Sequence, residues 1–442
     1  MNMKYNNGQQ LWEKAKTIIP SGNQLLSKKA ERFLPGFWPA YYQRAKGYEV
    51  WDIAGNHYFD FAQMGVGACI IGYADDDIDN AVINAIRNGS MSSLNSYEEV
   101  ELAEKLISLH PWSEMARFAR TGGEACAIAV RIGRAATGKD KVAFCGYHGW
   151  SDWYLAANIA DTSNLDGQLL PGLKPAGVPR NLKESAVPFN YNKIEELELI
   201  VDKYPNEIGV IIMEPVRDVE PEPGFLENVR KIAEKIGAVL IFDEVTSGFR
   251  MNLGGIHLNY GVNPDIAVFG KALGNGYPIS AIIGTKATMM ASINSFISST
   301  MWTERIGFVA ALHTIQKMEK MGVQENLIKY GNYINSGWER IAKEANFKIH
   351  ISGIPPLTHI SFDCDDKNAA QTLYAQEMLE KGYLVGASVY ASNAYNYEII
   401  DKFIADSLPA FQKLSLAIQE NNIKRHLKGD IIQTGFKRLT GD

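Results

Sequence analysis

Residues 208–243 read IGVIIMEPVRDVEPEPGFLENVRKIAEKIGAVLIFD, and the fold class turns on this stretch. It holds two short apolar runs, Ile208–Met213 (IGVIIM) and Ala238–Phe242 (AVLIF). An amphipathic helical pattern over Leu226–Lys235 lies between them. A strand that is apolar on both sides is covered on both faces, and strand–helix–strand units of this kind build parallel pairs. Two further runs belong to the same set, Lys141–Cys145 (KVAFC) and Asp265–Phe269 (DIAVF). The chain therefore reads as α/β, with a large domain built on a mostly parallel central sheet. Ligands of such sheets bind beyond the carboxyl ends of the strands. KVAFC leads to Tyr147-His148, IGVIIM to Glu214, AVLIF to Asp243-Glu244, and DIAVFG to Lys271.

Upstream, QQLWEKAKTII reads as a helix stopped by Pro20-Ser21-Gly22. GYEVWDIAGNHYFDF, from Gly47, resembles two short strands joined by a turn. Helices are expected over 75–88 and 97–109, the second ended by Pro111. After about residue 325 the pattern changes. A helix over 328–344 precedes the strand-like segments HISF and YLVGASV, and a helix fills 397–422. The expected organisation is an N-terminal segment (1–74), a large ligand-binding domain (75–325) and a small α+β domain (326–442). The N-terminal segment packs with the small domain, so both chain ends build it.

Composition excludes several classes. Of 442 residues, 46% are apolar and 21% charged, and the net charge of −6 is spread along the chain without a basic stripe. That argues against nucleic acid as a partner. No apolar run approaches the ~20 residues that span a bilayer, and the opening MNMKYNNGQQ lacks the apolar stretch of a signal peptide. Cys69, Cys126, Cys145 and Cys364 form no C-x-x-C pair, and no histidine cluster has metal-ligand spacing. Free thiols, no metal and a cytoplasmic location are the expectation.

The residues after the strands carry the chemistry. Gly122-Gly123 precede the helical pattern EACAIAVRIGRAATG, where backbone N–H groups meet an anion at a helix start. A tight turn is the alternative reading. The loop lacks G-x-x-x-x-G-K-[ST], which removes a phosphate-loop NTPase. Asp243 ends an apolar strand, where a carboxylate is costly unless paired. It reads as a cap, an ion-pair residue or the partner of a protonated pyridine nitrogen. Lys271 follows a buried-looking run and precedes the glycine-rich turn ALGNGYP. A desolvated lysine is a nucleophile toward an aldehyde. Tyr147 suits stacking or ordinary packing, and His148 reads as a satisfied structural histidine or an acid/base group.

TGGEA, CGYHGW, MEPV, FDEVTSGFR and FGKALGNGYP occur in this order. With that set the chain resembles the class III aminotransferases of fold type I, in particular the branch of glutamate-1-semialdehyde 2,1-aminomutase. The resemblance runs from Ile19-Pro20-Ser21-Gly22 to the C-terminal domain. It implies pyridoxal 5'-phosphate (PLP) bound to Lys271 as a Schiff base, and amino transfer between a donor and a carbonyl compound through pyridoxamine phosphate. It implies that Gly122 and Gly123 bind the phosphate, Tyr147 stacks on one ring face, and Val245 packs on the other. Asp243 keeps the pyridine nitrogen protonated, and Glu214 lies near the cofactor. Thr300 reaches the phosphate of the neighbouring subunit, so the resemblance implies a homodimer with a shared active site.

The chain departs from the aminomutase pattern on the substrate side. Ser-Thr-Met-Trp-Thr-Glu-Arg-Ile (299–306) replaces a Gly-Thr…Gly-Asn-Pro stretch, Trp150 stands where a second histidine is common, and Arg217-Asp218 follow MEPV. The expectation is an aminotransferase with another carbonyl substrate. Arg217 and Arg250 are candidates for a substrate carboxylate or phosphate, with structural ion pairing as their alternative. Trp150, Trp153 and Trp302 are candidates for the pocket or for core packing. The competing readings are the intramolecular aminomutase and a non-catalytic binding protein of the same fold.

Overall fold

The structure is a computed structural model and describes residues 7–168, 171–216 and 218–434. Arg217 lies outside the described residues. The chain forms two compact units: Asp76–Gln324, and the two chain ends up to Asp75 and from Glu325 onward.

In the unit made by the chain ends, the first helix runs Gly8–Ile18. It starts at Asn7, whose Oδ1 accepts the amides of Gln9 (2.8 Å) and Gln10 (3.3 Å). Strands β1 (Tyr42–Lys46), β2 (Glu49–Asp52) and β3 (His57–Phe61) form an antiparallel meander. The turn between β2 and β3 is built by Asp52, whose Oδ1 accepts the amides of Ala54 (2.9 Å) and Asn56 (2.8 Å). β1 falls where no element was expected.

The unit Asp76–Gln324 carries the central sheet. Its strands are β4 (Met115–Ala119), β5 (Lys141–Cys145), β6 (Ala186–Pro188), β7 (Ile208–Met213), β8 (Val239–Asp243), β9 (Ile266–Phe269) and β10 (Ser280–Gly284). The order across the sheet is β4-β10-β9-β8-β7-β5-β6. Strands β6, β5, β7, β8 and β9 are parallel, and β10 runs antiparallel to both of its neighbours. Every residue of β7, β8, β9 and β10 is buried, as covering on both faces requires. The helix Gly122–Thr137 lies close over this sheet. A Cβ on its Gly133 would stand 2.7 Å from the Val210 Cγ2 atom. β4 and β6 carry no continuous apolar signal of the kind that marked the other four strands, and the short apolar run Ala281-Ile282-Ile283 of β10 was not singled out as a strand.

The unit of the chain ends is completed by β11 (Ile349–Ser352), β12 (Leu357–Phe362), β13 (Tyr383–Val385) and β14 (Ser388–Tyr390). YLVGASV, expected as one strand, is divided at Gly386-Ala387 between two sheets. β13 adds in parallel to β3, and β14 pairs antiparallel with β12. The Ala387 carbonyl accepts the Ile360 amide (2.9 Å), which carries the chain from one sheet to the other. The core here is aromatic: Phe61 stacks on Phe403 (4.1 Å) and on Tyr395 (4.7 Å).

All four cysteines are free. Among the described residues no helix is long and apolar enough to cross a membrane.

Candidate active site

The carboxyl ends of β5, β7, β8 and β9 lie along one edge of the central sheet, because these strands are parallel neighbours. β10 is antiparallel, so it brings its first residue, Ser280, to the same edge opposite Ala119, the last residue of β4. The sequence segments singled out above therefore converge.

The Gly122-Gly123 loop opens the 16-residue helix Gly122–Thr137. Thr121 is extended (φ −126°, ψ 153°) and forms a capping box with Glu124. Its Oγ1 accepts the Glu124 amide (3.4 Å), and Glu124 Oε2 accepts the Thr121 amide (3.0 Å). The Thr121 carbonyl accepts the Ala125 amide (3.0 Å) and the Ser280 hydroxyl (3.1 Å). The cap thus serves the amides of Glu124 and Ala125. First-turn amides have no partner inside a helix, so Gly122 and Gly123 are the donors left at its positive end. Arg120, to which the sequence reading gave no role, holds the neighbouring segment. Its Nε donates to the Met301 carbonyl (2.7 Å) and its Nη2 to the Glu304 carbonyl. Thr300 opens the 3₁₀ turn Thr300–Thr303 of that segment and is exposed. Trp302 in the same turn is half-buried.

Asp243 is 4% exposed. Its Oδ2 accepts from His148 Nδ1 (2.7 Å) and from the Cys126 thiol (3.2 Å), while its Oδ1 accepts the Val245 amide (3.1 Å). His148 Nε2 faces the Cys145 carbonyl (3.1 Å), so both ring nitrogens point at acceptor oxygens. Burial pushes the Asp243 carboxyl up, but the His148 pair, the Val245 amide and the Cys126 thiol outweigh it. Together they hold the group below the ordinary carboxylate range. One carboxylate oxygen is thereby anchored by two buried side chains, and the other keeps acceptor capacity. His148 is a satisfied buried histidine, as the first of its two readings had it, but the acceptor that satisfies it is Asp243. Trp153, 7% exposed, stacks on His148 (6.1 Å, 22°) and belongs to the packing beneath the site.

Lys271 follows β9 with φ +40°. A left-handed backbone at a non-glycine residue costs of order 1–3 kcal/mol and persists where the surroundings impose it. Its Nζ donates to Thr246 Oγ1 (2.9 Å), three residues beyond Asp243. Val245, half-buried, lies between the two loops. A Cβ on Gly122 would stand 2.8 Å from Val245 Cγ1, and one on Gly270 would stand 3.4 Å from it. Glycine at both positions lets Val245 sit low between the helix start and Lys271.

Glu214 Oε2 accepts the Tyr147 amide (3.1 Å). Tyr147 is 39% exposed, and its ring meets Tyr154 edge-on (6.0 Å, 89°). Trp150 lies against Gly123 and is 69% exposed. Arg250 is fully buried and donates from Nε to the Thr246 carbonyl (2.6 Å). It braces the loop that carries the Lys271 partner. A second buried network lies under this loop. Glu244 accepts from His257 Nδ1 (2.5 Å) and from the amides of Ile256 (2.5 Å) and His257 (3.1 Å), and His257 Nε2 accepts from Trp112 (2.9 Å). Beside it, burial pushes His110 down to about 4, so it is the neutral ring that accepts the Gly255 amide (2.9 Å).

These donors and acceptors suit a planar cationic ring with an anionic tail. Such a tail could be held by the Gly122 and Gly123 amides, a ring nitrogen by the Asp243 carboxylate, and a ring carbonyl by the Lys271 amine. The low Val245 leaves a flat floor. The sequence did not single out Cys126, Thr246 or Arg120 for these roles, although Thr246 lies within FDEVTSGFR and Arg120 precedes TGGEA, because each acts through a contact made across the fold.

The family model for class-III aminotransferases matches residues 35–400 of this chain. The 3-aminobutyryl-CoA aminotransferase of Cloacimonas acidaminovorans (strain Evry) is 34% identical over 416 residues, covering 90% of this chain and 96% of the relative. A glutamate-1-semialdehyde 2,1-aminomutase of Methanothrix thermoacetophila is 32% identical over 423 residues, covering 90% and 95%. Among solved structures, the FumI protein of Sphingopyxis sp. MTA144, in its PLP internal aldimine form, matches with a TM-score of 0.82. It covers 94% of this chain and 97% of its own, at 24% identity, a likeness of fold.

Proposed function

The chain belongs to the class-III aminotransferase family and has its fold type I architecture, and from that premise we propose a PLP-dependent aminotransferase whose cofactor lysine is Lys271. The observation that carries this reading is the meeting of three groups at one sheet edge: the Gly122-Gly123 helix start, the anchored Asp243 carboxylate, and the Lys271 amine on Thr246. PLP supplies an aldehyde for exchange with amines and an electron sink for the bond-breaking step.

The chain's own residues do the rest. The amides of Gly122 and Gly123 bind the phosphate. Tyr147 and Val245 bound the two ring faces, and Glu214 orients Tyr147 through its amide. Asp243 holds a proton at the ring nitrogen, a role suited to a carboxylate kept ionised by its own hydrogen bonds. Lys271 Nζ would hold the cofactor until a donor amine displaces it; the freed amine would then remove a proton from the substrate carbon bearing the amino group and return one during transfer. Thr246 Oγ1 orients that amine. General-base catalysis of this kind contributes about 10²–10⁴-fold.

Exposed apolar residues lie in or just before the Thr300 segment, Phe296 (89%) and Met301 (57%), and in the 90–98 stretch, Leu94 (83%). Arg305 ties the two stretches together, since its amide donates to the Ser90 carbonyl (3.0 Å) and its guanidinium to Glu98 (2.6 Å). A patch of this kind supports a homodimer in which Thr300 serves the partner's phosphate. Four free thiols support a cytoplasmic location. Transfer between two molecules is supported by the relative that carries the name aminotransferase and by the departure at 299–306. Trp302 remains the substrate-side candidate of that segment.

The test is spectroscopic. PLP added to the cofactor-free protein should produce a visible absorption band, and a panel of amines and amino acids should convert it to the pyridoxamine form. A protein without the band is the non-catalytic binding protein. The aminomutase relative gives the second reading its ground: if the pyridoxamine form converts glutamate-1-semialdehyde to aminolevulinate, the reaction is intramolecular.

A further inference from the structure

The two glycines of the phosphate loop have different neighbours. Gly122 is filled from below by Val245, whereas Gly123 is filled from the side by Trp150. A Cβ on Gly123 would stand 3.1 Å from both Cδ1 and Nε1 of the indole and 3.7 Å from the Gly149 Cα atom. A Cβ on Gly149 would stand 2.7 Å from the Gly123 Cα atom, and Gly149 has φ +98°. The two backbones touch only because both residues are glycine. That contact swings residue 150 to the helix start. The pyrrole edge of Trp150, the edge that carries its N–H, thus occupies the place of a residue-123 side chain. Trp150 is 69% exposed, so its indole is not packed into the core. Nε1 has no acceptor among the described residues. Indole N–H is a donor only, and it stands beside two amides at the positive end of a 16-residue helix.

We propose that Trp150 is a phosphate-binding residue: its Nε1–H donates to the cofactor phosphate as a third donor beside the Gly122 and Gly123 amides. This rests on the PLP reading above and moves Trp150 from the substrate side of the site to the cofactor side. The ring also covers the helix start and thins the water around the phosphate, which strengthens each hydrogen bond made there.

The experiment compares PLP with pyridoxal, which lacks the phosphate, on the cofactor-free protein by fluorescence titration. Trp150→Phe keeps a ring in place and removes the N–H. Loss of one hydrogen bond to a charged group should weaken PLP binding roughly tenfold and leave pyridoxal binding unchanged. Trp150→His, which keeps a ring N–H, should restore part of the preference for PLP. The proposal is overturned if Trp150→Phe binds PLP as the parent does, or if PLP and pyridoxal weaken equally, which is loss of packing alone. A parent protein that binds PLP no better than pyridoxal refutes the phosphate loop itself, a separate outcome from failure at Trp150.

Discussion

Gly122→Ala is a single methyl placed where the structure has least room for it. The new Cβ would stand 2.8 Å from Val245 Cγ1, 3.1 Å from Cγ2 and 3.5 Å from Cβ. Ordinary contacts begin near 3.5 Å, so about 0.7 Å must be absorbed at the closest atom. The helix backbone at residue 122 does not yield easily, because the Thr121–Glu124 capping box and the Thr121–Ser280 bond hold it. Val245 must therefore move. Its amide is tied to Asp243 Oδ1 (3.1 Å), and on the proposed reading the side chain is pushed toward the space of the cofactor ring. Overpacking of this kind costs about 1–3 kcal/mol. Because Val245 is displaced into the ligand's space, the cost should appear in cofactor affinity, as a loss of roughly 5- to 150-fold. The assay is PLP titration of the cofactor-free protein, with thermal unfolding of the same samples. Adding Val245→Ala to Gly122→Ala removes both clashing methyls and should recover most of the affinity. Parent-like binding by Gly122→Ala, or no recovery in the double variant, would refute the assignment of Val245 to the floor of the site.

Three further perturbations probe the remaining parts. Lys271→Ala should still take up PLP without a covalent bond, and borohydride should leave no labelled lysine; label on another lysine would overturn the assignment. The folded Asp243 carboxyl lies below its ordinary range, so its contribution to stability is present above the unfolded value of about 3.9 and lost as pH falls through the folded value. His148→Phe leaves burial as the main influence on Asp243, moves its folded value up, and should make acid unfolding begin at higher pH. Melting temperatures of parent and variant that coincide from pH 3 to 7 would contradict this. Phe296→Asp, at a side chain 89% exposed in one chain, should shift sedimentation from dimer to monomer and weaken PLP binding. A parent that sediments as a monomer at full activity would remove the shared site.

Much of this protein was legible in the order of its residues. Buried strands of a parallel sheet are apolar on both faces, so β5, β7, β8 and β9 announced themselves within a residue of their ends. The rule that ligands bind beyond strand carboxyl ends then pointed to Tyr147, Glu214, Asp243 and Lys271 before any contact was known. Local chemistry was partly readable: Gly122-Gly123 before EACAIAVRIGRAATG marked a helix start, although the capping box of Thr121 and Glu124 came from the structure. Each of these signals is written in residues close together along the chain.

The tertiary structure decided what depends on distant residues meeting. Cys126 and His148 reach one oxygen of Asp243 from sequence separations of 117 and 95 residues, and nothing in their own surroundings marks them as its partners. Thr246 meets Lys271, and Arg120 reaches Met301, for the same reason. YLVGASV carries one continuous strand pattern, yet its halves join different sheets, because the hydrogen-bonding edges of β3 and β12 lie elsewhere in the chain. Periodicity reports which side of a segment is buried, not which partner buries it. That partner is fixed only when the whole chain has folded, and it alone gives Asp243 an anchored oxygen and Gly122 a floor of valine.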